Sequence, residues 1–342
     1  MIPFDRHFLP ARFLYLTSAL SYLLFLPYKI TDISIFMAKL SRQTKEIIKT
    51  VLFFLAVALI VLVYVIYPLN RTKAIMARGD VDNYSSDSLV MNDPTTFIDA
   101  GLVADTFRFE PDGLANLACL FVPPSGDSST EPKGTVFLIP GETDTRDSVI
   151  ALAAALHDSD YAVYTYDQRA SGRSTGKYRG DGTHEASDIQ ELISHFEIRG
   201  QIAHPLLIVG FDLGADAAML AALEEKRIDA VVAVDPYLTT PHMQDDLRER
   251  FGTYWFPFYR TIMWWWYEIR SGYATIYRRI DDIKPVPCPT LLILPKDRLD
   301  GEEAERVKEI SPADLLLVSP LPEDESAVYE TILAFLKLSA TE

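Results

Sequence analysis

Cysteine and positive charge are both scarce in this sequence. Only two cysteines, Cys119 and Cys288, occur among 342 residues. Each lies within or just before an apolar run rather than at the paired spacing of a disulfide or a metal site, so we expect two buried thiols. The chain has 32 Lys and Arg against 48 Asp and Glu. Such an acidic balance argues against nucleic acid as a partner, because phosphates are neutralised by Lys and Arg.

The few basic residues are unevenly distributed along the chain. Residues 1–78 contain ten Lys and Arg against three acidic residues, whereas the rest of the chain has 22 basic and 45 acidic residues. A basic, apolar N-terminus on an acidic body is typical of a membrane anchor that carries a soluble domain.

A long apolar run supports this interpretation. Residues 51–67 read VLFFLAVALIVLVYVIY and contain no charge and no proline. With its flanks the run approaches the ~20 residues that span a bilayer core. It predicts a transmembrane helix over 47–69, with lipid as its partner, after a membrane-associated segment 1–46. A weaker run at 13–30 is compatible with either a second span or an interfacial segment.

Basic residues on either side of the span predict its orientation. Five lie between the two apolar runs and three shortly after the second: Lys29, Lys39, Arg42, Lys45 and Lys49, then Arg71, Lys73 and Arg78. Since the larger cluster stays in the cytoplasm, residues 70–342 are expected on the extracytoplasmic side.

Beyond a polar linker predicted at 70–98, apolar strands alternate with helices. Two early strands are predicted at 102–110 and 115–124, and later ones at 135–141, 161–167, 205–211, 230–236, 288–295 and 314–320. Continuous apolar strands separated by helices indicate an α/β fold with a mostly parallel sheet flanked by helices. The core is predicted in two parts, 99–240 and 286–342.

Residues 241–285 interrupt this alternation and are rich in aromatic side chains. They predict a cap inserted into the core. Packing accounts for most of the aromatics, but the consecutive residues Trp264, Trp265 and Trp266 cannot all face one core. Some are therefore expected to line an apolar pocket or to contact lipid.

Residues 206–218 read LLIVGFDLGADAA, which predicts a buried strand, a tight turn and a helix. This is the pattern of a nucleophile elbow, G-x-S-x-G, with Asp212 at the position of the serine. Gly210 and Gly214 supply the small neighbours that the turn requires.

Four further segments are similar to segments of one protein family and occur along the chain in the same order as in that family. They are FLIPGETDTRDSVIALAAAL, YTYDQRASGRSTGKYRGDGTHEASDI, AVVAVDPYL and CPTLLILPKD. With the elbow, these segments make residues 100–340 resemble the α/β-hydrolase family. The resemblance implies an α/β-hydrolase fold and a site at the carboxyl ends of the parallel strands.

The resemblance also implies roles for individual residues. Asp212 occupies the nucleophile position, and Asp297 or, second, Asp300 occupies the position of the triad acid. The backbone amides of Leu213 and of Glu142 or Thr143 would form the oxyanion hole.

The family's histidine should lie near 319–326, but no histidine follows His242. His184 and His242 lie in loops at the correct edge of the sheet, and His242 is the better candidate for a relocated base. An aspartate in the elbow is known from the haloalkane-dehalogenase and epoxide-hydrolase branch. There the carboxylate forms an alkyl ester that a histidine-activated water cleaves, so without a histidine the ester would persist.

Two hypotheses follow from these substitutions. The first is a catalytically degenerate protein that binds a small apolar ligand or a protein partner. The alternative is an active hydrolase of esters, epoxides or halides, with Asp212 as nucleophile and His242 as base. Neither hypothesis implies a cofactor. A hard cation held by Glu142, Asp212 and Asp297 is a third option that no spacing specifies.

Two smaller expectations concern polar residues near the predicted site. Asp167 and Arg169 are expected to form an ion pair after the strand at 161–167. Asp235 ends its strand where some relatives place the triad acid, and we expect it to cap a turn.

Overall fold

The computed structural model of this chain describes residues 41–76, 100–126, 131–142, 144–176, 179–239, 242–243, 245, 258–271, 285–299, 304–310, 316–322 and 325–339. The predicted apolar segment 13–30 and most of the predicted linker lie outside these residues. The chain divides into two compact units, Met1–Val65 and Ile66–Glu342.

The first unit contains helix α1 (Arg42–Val61), which a π-helical turn (Leu62–Ile66) follows. Helix α1 begins at Ser41, whose side chain accepts a hydrogen bond from the Thr44 N–H. Within the part of the chain that the structure describes, one helix, Arg42–Lys73, is long and apolar enough to cross a membrane. This helix could serve as a membrane anchor, as the sequence predicts.

The second unit opens with helix α2 (Tyr67–Met76). Its centre is an eight-stranded sheet in the order β1-β2-β4-β3-β5-β6-β7-β8. The strands are β1 (Asp105–Phe109), β2 (Leu117–Val122), β3 (Thr135–Ile139), β4 (Ala162–Tyr166), β5 (Leu206–Phe211), β6 (Ala230–Val234), β7 (Thr290–Leu294) and β8 (Leu316–Pro320). The pairs β1–β2 and β2–β4 are antiparallel and the others are parallel. All eight strands predicted from the apolar runs are present.

Helices connect the strands in the order that the sequence predicts. After a short 3-10 helix (Arg146–Val149) come α3 (Ile150–Asp158), α4 (Thr183–Glu197), α5 (Leu213–Glu224), α6 (Tyr259–Ser271), α7 (Lys296–Leu299), α8 (Ala304–Glu309) and α9 (Glu325–Ser339). Helix α6 falls within the predicted cap, and helix α2 continues beyond residue 69, where the predicted span ends. The domain boundaries themselves stay a prediction.

Both faces of the sheet are covered, because successive strand residues point to opposite sides. On one face, Leu138 and Val209 pack in a core cluster with Leu152 of α3 and Ile332 of α9. On the other face, Phe137 stacks on Tyr164, which stacks in turn on Phe196 of α4. Burial on both sides explains why the central strands β3 to β7 appear in the sequence as apolar runs.

The two cysteines are buried and free, as predicted. Burial raises the pKa of each thiol, Cys119 and Cys288, to about 12. Neither is therefore a thiolate near neutral pH.

Candidate functional site

Asp212 lies in a sharp turn between strand β5 and helix α5. Its backbone has φ 52° and ψ −126°, a conformation that costs a residue with a side chain about 1–3 kcal/mol. The flanking glycines permit the turn. A Cβ on Gly210 would lie 2.3 Å from the Gly214 carbonyl oxygen, and one on Gly214 would lie 2.5 Å from the Pro140 oxygen. The strained turn of a nucleophile elbow is therefore present, with Asp212 at its apex.

The Asp212 carboxylate contacts the turn that follows strand β3. Its Oδ2 accepts a hydrogen bond of 3.2 Å from the backbone N–H of Glu142, one of the amides that the sequence predicts for an oxyanion hole. The other predicted residue, Leu213, is the first residue of α5, where N–H groups have no acceptor within the helix. The elbow thus brings Asp212, Leu213 and Glu142 together. The Asp212 carboxylate occupies the Glu142 amide, one of the two predicted for the oxyanion hole.

A chain of contacts extends from this turn towards the predicted base. The Tyr237 hydroxyl donates to Glu142 Oε2 at 3.4 Å, and the rings of Tyr237 and His242 have centroids 5.9 Å apart. The backbone N–H of His242 donates to Thr239 Oγ1. His242 therefore lies two side chains away from the elbow along this chain, and its role as a base stays a prediction.

At the position of the triad acid, a cation is buried beside the predicted residue. Asp297 is exposed in the short helix α7, but its neighbour Arg298 is only 9% exposed. Arg298 Nη1 donates to Asp235 Oδ1 at 2.7 Å, and its Nη2 donates to the Tyr237 carbonyl at 3.1 Å. Asp235 itself has φ 49°. Arg298 therefore holds the turn after β6 at two points, the Asp235 side chain and the Tyr237 backbone carbonyl. Asp235 is the residue that the sequence predicts to cap this turn.

A second carboxylate supports the same turn from helix α5. Asp216, one helical turn after Asp212, is fully buried and accepts hydrogen bonds from the backbone N–H groups of Tyr237 and Leu238 at 2.7 and 3.1 Å. Burial raises the pKa of its carboxyl to about 7, and the nearby Asp212 raises it as well, while the two N–H donors act in the opposite direction.

A cavity of about 340 Å³ adjoins the elbow at the carboxyl ends of the strands. Seven of its lining residues are largely apolar and two are polar: Val149, Phe211, Val234, Leu321, Pro322, Val328 and Tyr329, with Asp144 and Ser148. Leu321 and Pro322 directly follow β8, where the resemblance would place a histidine. The Asp144 carboxylate and the Asp212 side chain both approach Gly141, at 3.0 and 3.3 Å from the position of a Cβ there.

Comparison with known proteins agrees with this architecture. A model of the family described as serine aminopeptidase, S33, matches residues 130–272. The esterase Pf2001 of Pyrococcus furiosus superposes with a TM-score of 0.53 at 19% identity, covering 72% of this chain and 95% of the esterase. This chain has the α/β-hydrolase fold.

Two further α/β-hydrolase structures support that assignment. The α/β hydrolase GrgF from Penicillium sp. sh18 has a TM-score of 0.50 at 16% identity, over 70% of this chain and 100% of GrgF. Est1E from Butyrivibrio proteoclasticus, solved with bound ferulic acid, has the same TM-score and identity over 69% and 100%. The search of curated proteins gave no match.

In the loop after β4, Asp167 and Arg169 do not form the ion pair that the sequence predicts. Asp167 accepts hydrogen bonds from the backbone N–H groups of Arg146 and Arg173 at 2.8 and 2.9 Å. Arg169 instead pairs with the buried Asp188 and with Asp112. The predicted pair is wrong because Asp167 serves as a backbone acceptor, while the guanidinium reaches across to helix α4.

His184, the other candidate base, lies against the same arginine. Its Nδ1 accepts a hydrogen bond of 3.3 Å from Arg169 Nη1. This contact with the buried Arg169 favours a structural role for His184.

Asp147 lies in the 3-10 helix beside the cavity. Its Oδ1 is buried, with no hydrogen-bond partner in the part of the chain that the structure describes. Burial and the neighbouring Asp167 raise the pKa of this carboxyl to about 6, although Arg146 acts in the opposite direction.

Within the described ranges, no three His, Cys, Asp or Glu residues are placed to hold a metal ion. Glu142, Asp212 and Asp297 are all described, so the three-carboxylate hypothesis gains no support.

The contributions of Arg298, Asp216 and Asp144 were not predicted from the sequence. Arg298 follows the predicted acid directly, and Asp216 lies in the first turn of the helix after the elbow. An acidic residue in a first helical turn is ordinarily explained by the helix dipole. The sequence therefore does not show that Asp216 binds backbone N–H groups of another loop rather than lying exposed at the surface.

Proposed function

We propose that this chain is a membrane-anchored protein with the α/β-hydrolase fold that binds a small, mainly apolar ligand without hydrolysing it. The hydrogen bond from the Glu142 N–H to the Asp212 carboxylate carries this proposal. An oxyanion hole accelerates acyl transfer because its amides meet charge that develops only in the transition state. Here the Asp212 carboxyl oxygen already occupies one of those amides, which is therefore not open to a substrate oxygen.

The surroundings of the acid position support the same conclusion. A triad requires a group that accepts a proton from the nucleophile and a carboxylate that orients it. Arg298 neutralises Asp235 at 2.7 Å, and a guanidinium does not release its proton in proteins. No histidine occurs after residue 242, so the loop after β8 supplies no histidine base.

The cavity beside the elbow indicates the chemistry of the ligand. Its volume of about 340 Å³ lies in the range of small-molecule sites, and most of its lining is apolar. Asp144 is the acidic group in that lining, and burial raises the pKa of its carboxyl. We therefore expect a compact apolar ligand with one hydrogen-bond donor, a hydroxyl or an amine, directed at Asp144.

Binding of N-phenyl-1-naphthylamine, a neutral apolar fluorophore with one N–H donor, tests this proposal. The full chain is titrated in nanodiscs, with empty nanodiscs as the blank. We expect saturable binding that Ser148→Trp abolishes, because the indole fills the cavity from an exposed position, and that Asp144→Asn weakens. Ile198→Trp places the same side chain at a remote exposed site and should leave binding unchanged. Binding that is equal in all four proteins would contradict the cavity as the site.

The strained elbow favours a second candidate function. A backbone conformation as costly as that of Asp212 persists only where the surrounding structure enforces it, and such residues cluster at active sites. An active hydrolase of esters, epoxides or halides, with Asp212 as nucleophile and His242 as a relocated base, would make use of that turn. Formation of an alkyl ester on Asp212 distinguishes this candidate from simple binding.

The membrane attachment is part of the proposal. The helix Arg42–Lys73 provides the anchor, and the excess of basic residues before it favours an extracytoplasmic site. The acidic body supports a small molecule or a protein as partner rather than nucleic acid.

A further inference from the structure

Helix α6 has an exposed apolar face on one side. Ile262, Trp265 and Ile269 follow the spacing i, i+3 and i+7, which places them on a single helical face. Phe258 directly precedes the helix with φ 63°, and its carbonyl accepts a hydrogen bond from the Ile262 N–H. Phe258 is 78%, Trp265 55% and Ile269 42% exposed. Ile262, Trp265 and Ile269 are called the α6 apolar face below.

The opposite side of α6 is fixed against the rest of the unit. Met263 and Tyr267 are buried. The Tyr267 hydroxyl donates to the Gly180 carbonyl at 2.8 Å, and the Thr72 hydroxyl of helix α2 contacts Met263 Sδ at 3.5 Å. The α6 apolar face therefore points away from the body, because Met263 and Tyr267 hold the opposite side of the helix against it. A rotation of α6 would break these contacts.

The chain keeps α6 near the end of the proposed span. Helix α2 begins at Tyr67, within the last residues of the predicted transmembrane segment 47–69. Thr72, which contacts α6, follows Tyr67 by five residues, or about 8 Å of helical rise. Thr72, the residue of α2 that contacts α6, is therefore held by the helix backbone within about 8 Å of Tyr67, the last residue of the apolar run.

The charges of the two helices also differ from those of the body. Helix α2 contains Arg71 and Lys73 with no acidic residue, and α6 contains two arginines and one glutamate. The remainder of the body is strongly acidic. Basic residues beside exposed Trp and Phe are the composition of a segment that lies at a lipid headgroup layer.

We propose that the α6 apolar face lies in the interfacial layer of the membrane that anchors this chain, so that the cap rests on the lipid surface. This proposal depends on the membrane anchor of the proposed function. Docking in this way would place the cap, and the body packed behind it, in a fixed orientation to the bilayer.

Site-directed spin labelling of the full chain tests the docking. The native thiols are buried with a raised pKa, so a label is directed to an introduced cysteine. Trp265→Cys reports the α6 apolar face, and Ile269→Cys reports it again from the next turn. Leu55→Cys reports the apolar run. Ile198→Cys is the matched control, because Ile198 is 84% exposed at the far end of α4.

Each variant is placed, one chain per disc, in nanodiscs of phosphatidylcholine and phosphatidylglycerol. Collision with oxygen, which is concentrated in lipid, is compared with collision with a water-soluble nickel chelate. We expect positions 55, 265 and 269 to favour oxygen and position 198 to favour nickel.

Two results would overturn the docking while leaving the anchor intact. One is nickel accessibility at 265 and 269 equal to that at 198, with 55 still favouring oxygen. The other is protection of 265 and 269 from both reagents, which would mean that protein covers the face. Nickel accessibility at position 55 would instead refute the anchor, and the docking with it.

Discussion

At the scale of single residues, Arg298 determines much of what the carboxyl ends of the strands can do chemically. Its guanidinium is buried, pairs with Asp235 and binds the Tyr237 carbonyl. General base catalysis needs a group that exchanges a proton near neutral pH, and an arginine remains protonated. The guanidinium of Arg298 therefore binds the Asp235 carboxylate, which ends its strand where some relatives place the triad acid.

Removing this cation should destabilise the fold. Arg298→Met leaves Asp235 and the Tyr237 carbonyl without their partner. Because Asp235 remains partly exposed, we expect a loss of about 1–3 kcal/mol in the free energy of unfolding rather than the full cost of a broken buried pair. Urea denaturation measures it. Lys308→Met, which breaks the exposed pair with Glu305, should cost less than about 0.5 kcal/mol. Equal losses would show that the Arg298 pair is not special.

Asp147 should make stability depend on pH. Burial and Asp167 raise the pKa of its carboxyl from 3.8 to about 6, so between these pH values the folded chain holds a proton that the unfolded chain releases. Stability from this group is full below about pH 4 and falls as pH rises to about 6. Because solvent screens this partly exposed carboxyl, Asp147→Asn should gain only about 1–2 kcal/mol at pH 7 and almost nothing at pH 4. Denaturation across this range measures the difference, and a gain that is independent of pH would contradict the assignment.

At the scale of elements, the elbow depends on the close approach of β5 and α5. A Cβ on Gly210 would lie 2.6 Å from the Ala215 Cα, so the strand and the helix would have to separate. We expect Gly210→Ala to lower the free energy of unfolding by about 2–3 kcal/mol or more. Gly200→Ala is the control: Gly200 has φ +64° and open space around it, so the variant should cost about 1 kcal/mol. A smaller loss at Gly210 than at Gly200 would contradict the packing.

The elements were predictable from the sequence because most strands, β1 excepted, are largely apolar runs and the glycines of the elbow stand at fixed spacing. The position of Asp212 followed from the same pattern. The side chains that hold the turn after β6 were not predictable, because Asp216 and Arg298 meet Tyr237 only after the chain has folded. The Asp167–Arg169 prediction failed for a related reason: neighbours in sequence are not the nearest partners when backbone N–H groups and a buried Asp188 compete for them.

At the scale of the whole molecule, an apolar helix precedes an acidic body with the α/β-hydrolase fold. The fold keeps the elbow, the adjoining cavity and the amide of Glu142. For serine hydrolysis, however, Asp212 stands at the position of the nucleophile, and no histidine follows His242. The side of the membrane on which the body lies stays a prediction from the basic residues, and labelling of an exposed position in intact cells tests it.

The central claim is that the site binds without hydrolysis, and intact-protein mass spectrometry combined with turnover assays tests it most directly. The chain and its Asp212→Asn variant are incubated with activated esters, epoxides and haloalkanes. We expect identical background turnover from both proteins and no added mass on Asp212. Turnover that Asp212→Asn abolishes, or an alkyl ester mapped to Asp212, would contradict the claim and establish Asp212 as a nucleophile.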